Sequence, residues 1–108
     1  MSSPLGLDSS VLAAIKKILL DSLKDRSQIS VSFFGSRANG KYKQYSDLDL
    51  WIECRPSLSL RDKTKLLEQF EESDLAIKID IVTLETCLPE YLPQIQNEKK
   101  LWFQFHRK

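Results

Sequence analysis

Asp47 and Asp49 stand two residues apart in Ser46-Asp47-Leu48-Asp49-Leu50, and Asp80 interrupts a later apolar run, Ile77-Lys78-Ile79-Asp80-Ile81-Val82. Residues two apart on a strand leave the same face, so Asp47 and Asp49 project together while Leu48, Leu50 and Ile52 turn the other way, towards a core. Neighbouring carboxylates repel, and a fold keeps them only where a cation or a proton neutralises the pair. Hard oxygen ligands of this kind suit Mg²⁺ or Mn²⁺, ions that retain water and bind substrate phosphates. If the strand of Asp80 lies beside that of Asp49, Asp80 becomes a third ligand on the same patch of sheet. Upstream, Gly35-Ser36 ends another apolar-alternating segment. Glycine allows close approach of a phosphate, amides at a helix start donate to it, and the Ser36 hydroxyl adds a further donor. Arg37, Lys41 and Lys43 follow as candidates for neutralising a polyphosphate. Acidic metal ligands opposite an anion cradle are the layout for in-line displacement at phosphorus, with Asp80 placed to accept the proton of the attacking group.

The elements that must position these groups are legible as changes of period. Val11, Leu12, Ile15, Ile18, Leu19 and Leu23 recur at helical spacing, predicting a helix opened by Ser9 or Ser10 and running to about Lys24. Gln28–Phe34 switches to alternation, with Ile29, Val31 and Phe33 against Ser30 and Ser32, and predicts a half-buried strand. A loop over residues 35–46 leads to a second strand, Asp47–Cys54. Ser57 or Ser59 opens a second helix through about Ser73, and Ala76–Leu84 is the third strand. Leu88 to about Lys100 reads as a last helix interrupted near Pro93. The apolar tail Leu101–Phe105 fits either a strand or a helix end, and closes the core or meets a partner. The 55–75 connection is long enough for a parallel crossover, whereas the short 36–46 link points to antiparallel first and second strands. The expected fold is α/β (α+β), a small mixed sheet of three to four strands flanked by helices.

Size and composition bound the alternatives. The 108 residues make one domain, with its core over about residues 10–100, and 42% hydrophobic residues are enough to fold it. A net charge of +1 removes the argument for non-specific nucleic-acid binding, and the basic-aromatic stretch Lys41–Tyr45 reads as a solvated loop. Cys54 and Cys87, 33 positions apart, form neither a zinc pattern nor a disulfide framework, which fits a reducing cytosol. Both read as packed small residues, and His106 as an inert tail residue. No apolar run approaches the roughly 20 residues of a membrane span, and Met1–Leu5 lacks the marks of a signal peptide. Trp51 shares the face of Asp49 and Glu53 and reads as an aromatic packed beside the site rather than as a base platform.

Gly35-Ser36, Asp47-x-Asp49 eleven residues past Ser36, and Asp80 on a later strand together resemble the signature of the DNA polymerase beta-like nucleotidyltransferases. The short chain and the string Gly35-Ser36-Arg37-Ala38-Asn39-Gly40, five residues, then Ser46-Asp47-Leu48-Asp49-Leu50 resemble the minimal nucleotidyltransferases (MNT family) within that group. The resemblance implies that Gly35 and Ser36, with Arg37 and Lys41, bind the phosphates of ATP. It also implies that Asp47, Asp49 and Asp80 bind Mg²⁺ and catalyse transfer. It further implies a HEPN-domain partner, a tyrosine of which receives AMP, as in a type VII toxin–antitoxin pair. Two other readings stay open: transfer to a small molecule held by a separate subunit or second copy, and a nucleotide-binding module that neutralises its partner by occlusion.

Overall fold

In the computed structural model, residues 9–35, 47–73, 75 and 77–106 are described. They run α1 (Ser9–Ser22), β1 (Gln28–Phe34), β2 (Leu48–Arg55), α2 (Leu60–Glu72), β3 (Ile79–Thr83), α3 (Leu92–Glu98) and β4 (Lys100–His106). The strands form one mixed sheet in the order β3-β2-β1-β4, with β1 antiparallel to both β2 and β4 and β2 parallel to β3. The expected α+β class, the antiparallel first link and the parallel crossover through α2 all hold.

Alternation divides the sheet into two faces. Ile29, Val31 and Phe33, Leu48, Leu50 and Ile52, and Ile79 and Ile81 are buried together with Ile15 and Leu19 of α1 and Leu66 and Phe70 of α2. Both long helices therefore cover one face, and the alternate residues, Asp49 and Asp80 among them, are left on the other. Ser22 Oγ donates to Gln69 Oε1 at 2.8 Å and ties α1 to α2.

Arg26, in the turn between α1 and β1, is buried and donates to Asp62 Oδ2 at 2.6 Å and Asp25 Oδ2 at 3.1 Å. Hydrogen bonds from Arg26 and Ser59 hold the Asp62 carboxyl below the usual carboxylate range. Ser59 also caps α2, its Oγ accepting the Asp62 N–H at 3.1 Å.

Several element ends differ from the sequence expectation. Ser9 and Ser10 lie inside α1 rather than ahead of it, and α1 ends at Ser22. β3 runs Ile79–Thr83; it ends before Leu84 because the Thr83 carbonyl accepts the Thr86 and Cys87 N–H groups, closing a turn, and Ala76 lies outside the described residues. The last helix is confined to Leu92–Glu98, with Pro93 in its first turn, where a missing N–H costs no intrahelical bond. Leu101–Phe105 belongs to a strand. A register shift opposite Val31/Ser32 lets the adjacent Trp102 and Phe103 both pack against the core, Trp102 stacking on Phe33 at 4.8 Å.

Leu50 is fully buried in the central part of the sheet. Leu50→Ala is expected to lower unfolding free energy by about 2–5 kcal/mol, read from urea denaturation. A loss below about 1 kcal/mol would mean that the α1/α2 face is not the main core.

Candidate active site

The register of two strand pairs assembles the site. β2 pairs with β3 so that Asp49 lies directly opposite Asp80, and with β1 so that Asp49 lies opposite Phe34, the residue before Gly35. Gly35 has φ of +79°, a left-handed conformation that glycine adopts without strain. A Cβ built on Gly35 would overlap Oδ2 of Asp49 and come within 3.3 Å of its carboxyl carbon. Two independent constraints, backbone angle and clearance, thus require glycine here. The Leu48 N–H donates to the Lys78 carbonyl at 2.9 Å, extending the β2–β3 pairing to the residue that follows Asp47.

Asp49 is half-buried, whereas Asp47 and Asp80 are exposed. Burial, reinforced by the negative charges of Asp80 and Asp47, pushes the Asp49 carboxyl up to about 6. Asp80 Oδ1 accepts the neighbouring Ile81 N–H at 3.0 Å. Among the described residues, no three His, Cys, Asp or Glu side chains are drawn together tightly enough to hold an ion. The carboxylates share a face and a field rather than a closed cage. A half-buried carboxylate facing two like charges nonetheless fits a divalent cation, which would offset both the cost of burial and the repulsion.

Of the residues singled out from sequence, the structure brings together Gly35, Asp49 and Asp80, with Asp47 within electrostatic reach. Ser36, Arg37 and Lys41, and with them Lys43, lie outside the described residues. Trp51 is fully buried, as expected of a packed aromatic, and Lys99 Nζ stands 5.8 Å from its ring centroid and 3.8 Å from Glu53 Oε2. Cys54 is half-buried beside Arg26, its thiol pushed up by burial. Sequence reasoning missed a groove of about 390 Å³ on the open face, which reaches from Gly35 and Val82 to Leu88, Tyr91 and Ile95. The exposed apolar residues near Pro89 were its only sequence signal.

Because the folded state raises the Asp49 pKa, it favours the protonated carboxyl, and that stability is lost as pH rises towards and through about 6. In metal-free buffer the urea midpoint of the wild type should therefore fall between pH 5 and pH 8 relative to that of Asp49→Asn. Parallel profiles would show that Asp49 is not held against its neighbours.

The comparisons with known proteins agree with this geometry. Residues 15–104 match the nucleotidyltransferase domain family. A Haemophilus influenzae protein named "Probable protein adenylyltransferase MntA" is 38% identical over 87 residues, covering 81% of this chain and 74% of the relative. A solved structure described as a minimal nucleotidyltransferase superposes with a TM-score of 0.63 at 26% identity, covering 84% of this chain and 91% of its own. A toxin–antitoxin crystal structure with AMP-PNP superposes with a TM-score of 0.63 over 81% of this chain and 72% of its own; at 21% identity it shows the shared fold. No described helix is long and apolar enough to cross a membrane. A matching domain over most of the chain, a relative above 30% identity and an acidic patch set against a left-handed glycine lead to one conclusion: the chain belongs to the nucleotidyltransferase domain family and is an enzyme of the minimal, MntA-related kind.

Proposed function

We propose that this protein transfers AMP from ATP to a tyrosine hydroxyl of a partner HEPN-domain protein, as the antitoxin of a cytosolic toxin–antitoxin pair. The observation that carries the reading is the register match of Asp49 with Asp80, with the Asp49 carboxylate lying over Gly35. The MntA relative is named a protein adenylyltransferase, and a neighbouring fold occurs in a toxin–antitoxin assembly with AMP-PNP; both support the acceptor class and the nucleotide.

In this reading Gly35 and Ser36 hold the β- and γ-phosphates, aided by Arg37 and Lys41. Asp47, Asp49 and Asp80 hold Mg²⁺, for which Mn²⁺ is a substitute. The ion, when bound, neutralises charge on the phosphates. Asp80 takes the proton from the acceptor hydroxyl as its oxygen bonds to the α-phosphorus. The bond from that phosphorus to the bridging oxygen breaks, and pyrophosphate leaves. Gly35, which has no side chain, lets the Asp49 carboxylate lie against the backbone where the phosphate-binding stretch begins.

Labelled ATP and the HEPN partner, read by mass spectrometry, should give an adduct of one or more AMP units on a tyrosine. Asp80→Asn is expected to lower kcat by roughly 10²–10⁴, the usual contribution of a positioned base. Asp47→Asn with Asp49→Asn should abolish transfer, and adding Mg²⁺ at pH 8 should raise the urea midpoint of the wild type alone. Neutralisation of the partner by the double variant would replace transfer with occlusion. Adducts on a small hydroxylated compound, with none on protein, would replace the acceptor.

A further inference from the structure

The open face of the sheet carries a second feature that nucleotide transfer does not by itself require. The groove beside Gly35 is floored by Phe34 and Val82 and walled by α3 and the Thr86–Tyr91 segment. Its volume, about 390 Å³, lies within the range of ligand-binding clefts. Its lining is mostly apolar, with Leu88, Tyr91 and Ile95 prominent. The rim stands out of the fold: Leu88 and Tyr91 are 55% and 53% exposed, so two large apolar side chains within four residues face solvent. Apolar surface gathered in this way marks a site that another molecule covers.

Charge identifies the kind of molecule. Glu98 lines the groove, and exposed Glu90 lies in the chain between the lining residues Leu88 and Tyr91, while no lysine or arginine is among the described lining residues. The nearest cation along the chain, Lys99, is committed to Glu53. An apolar floor with an acidic margin complements an apolar anchor flanked by basic residues. The groove also ends at Gly35, against which the Asp49 carboxylate lies, so a segment seated in it is delivered to the acidic patch.

We propose that this groove docks the acceptor-bearing segment of the protein substrate, and that the segment it selects is basic with an aromatic anchor. The inference rests on the protein-transferase reading and adds to it the substrate's chemistry and the residues that read it. Leu88, Tyr91 and Ile95 take the anchor, and Glu90 and Glu98 select the flanking charge.

The test uses binding, so that it is independent of whether AMP is transferred. Two dye-labelled peptides, each with a central tyrosine, one flanked by arginines and one by glutamates, are titrated with the full chain in AMP-PNP and followed by fluorescence anisotropy. The arginine-flanked peptide should bind about tenfold tighter or more. Glu90→Lys with Glu98→Lys should reverse the preference, a gain that a misfolded variant cannot produce. Leu88→Ser with Tyr91→Ser should weaken the arginine-flanked peptide by about tenfold, as expected for a buried anchor pocket, and leave the affinity for a fluorescent ATP analogue unchanged. Equal binding of the two peptides, or an unreversed preference in the charge-swapped variant, overturns the inference. Loss of ATP-analogue affinity in the Leu88/Tyr91 variant also overturns it, and assigns the groove to the purine base. These failures leave the transferase reading standing, because that reading is tested by AMP transfer and not by peptide affinity.

Discussion

The repulsion between Asp49 and Asp80 is the constraint around which the molecule is arranged. Parallel pairing sets these residues directly opposite each other, and half-burial of Asp49 denies it the water that would screen its neighbour. Like charges facing across a sheet oppose folding, so the arrangement persists only because the opposite face of the same strands is strongly stabilising. Leu48, Leu50, Ile79 and Ile81 are the immediate chain neighbours of the two aspartates, and all four are buried beneath the helices. Asp49 and Asp80 are thus each flanked by residues that anchor their strands. The charge that destabilises the apo fold is the charge that holds a cation and ATP phosphates in the proposed chemistry, a familiar division between stability and function.

Much of this was legible in the sequence because period and chemistry coincide there. Ile29, Val31 and Phe33 alternate cleanly with serines, so β1 is found residue for residue as Gln28–Phe34. Leu48-Asp49-Leu50 names both the core face and the acidic face of β2. The adjacency of β2 and β3 could be stated only as a condition, because register is settled by packing between elements and leaves no local mark. The tail was undecidable for a related reason: Leu101-Trp102-Phe103 has no alternation to read, and the register shift opposite Val31/Ser32 is what makes consecutive apolar residues compatible with a strand. Arg26 left no signal at all. A charged residue between a helix and a strand ordinarily points to solvent, and only the tertiary placement of Asp62 turns it inward.

The groove was hidden by the same limit. Leu88 and Tyr91 look like the opening of a long helix, yet the turn bonds from Tyr91 and Leu92 back to Leu88 and Pro89 keep α3 from starting until Leu92. The delayed start leaves those residues in a connecting segment on the rim. Had the helix begun at Leu88, its apolar side chains would have been candidates for burial, and the open face would have lost its flank.

The roles of the described elements make that flank consequential. Four strands and three helices account for most of the described residues, and both long helices are committed to covering the core. Among the described residues, α3 and its preceding segment shape the open face, and they stand beside Gly35 rather than over the acidic patch. Selectivity for an acceptor can then come from a small contact placed close to the chemistry. An apolar cleft with acidic borders meets that requirement with a handful of side chains: the anchor supplies affinity by leaving water, and the charges set which segment is admitted. The edge of the groove at Gly35 is then the point where the two tasks meet, since one glycine gives clearance to Asp49 on one side and ends the docking surface on the other.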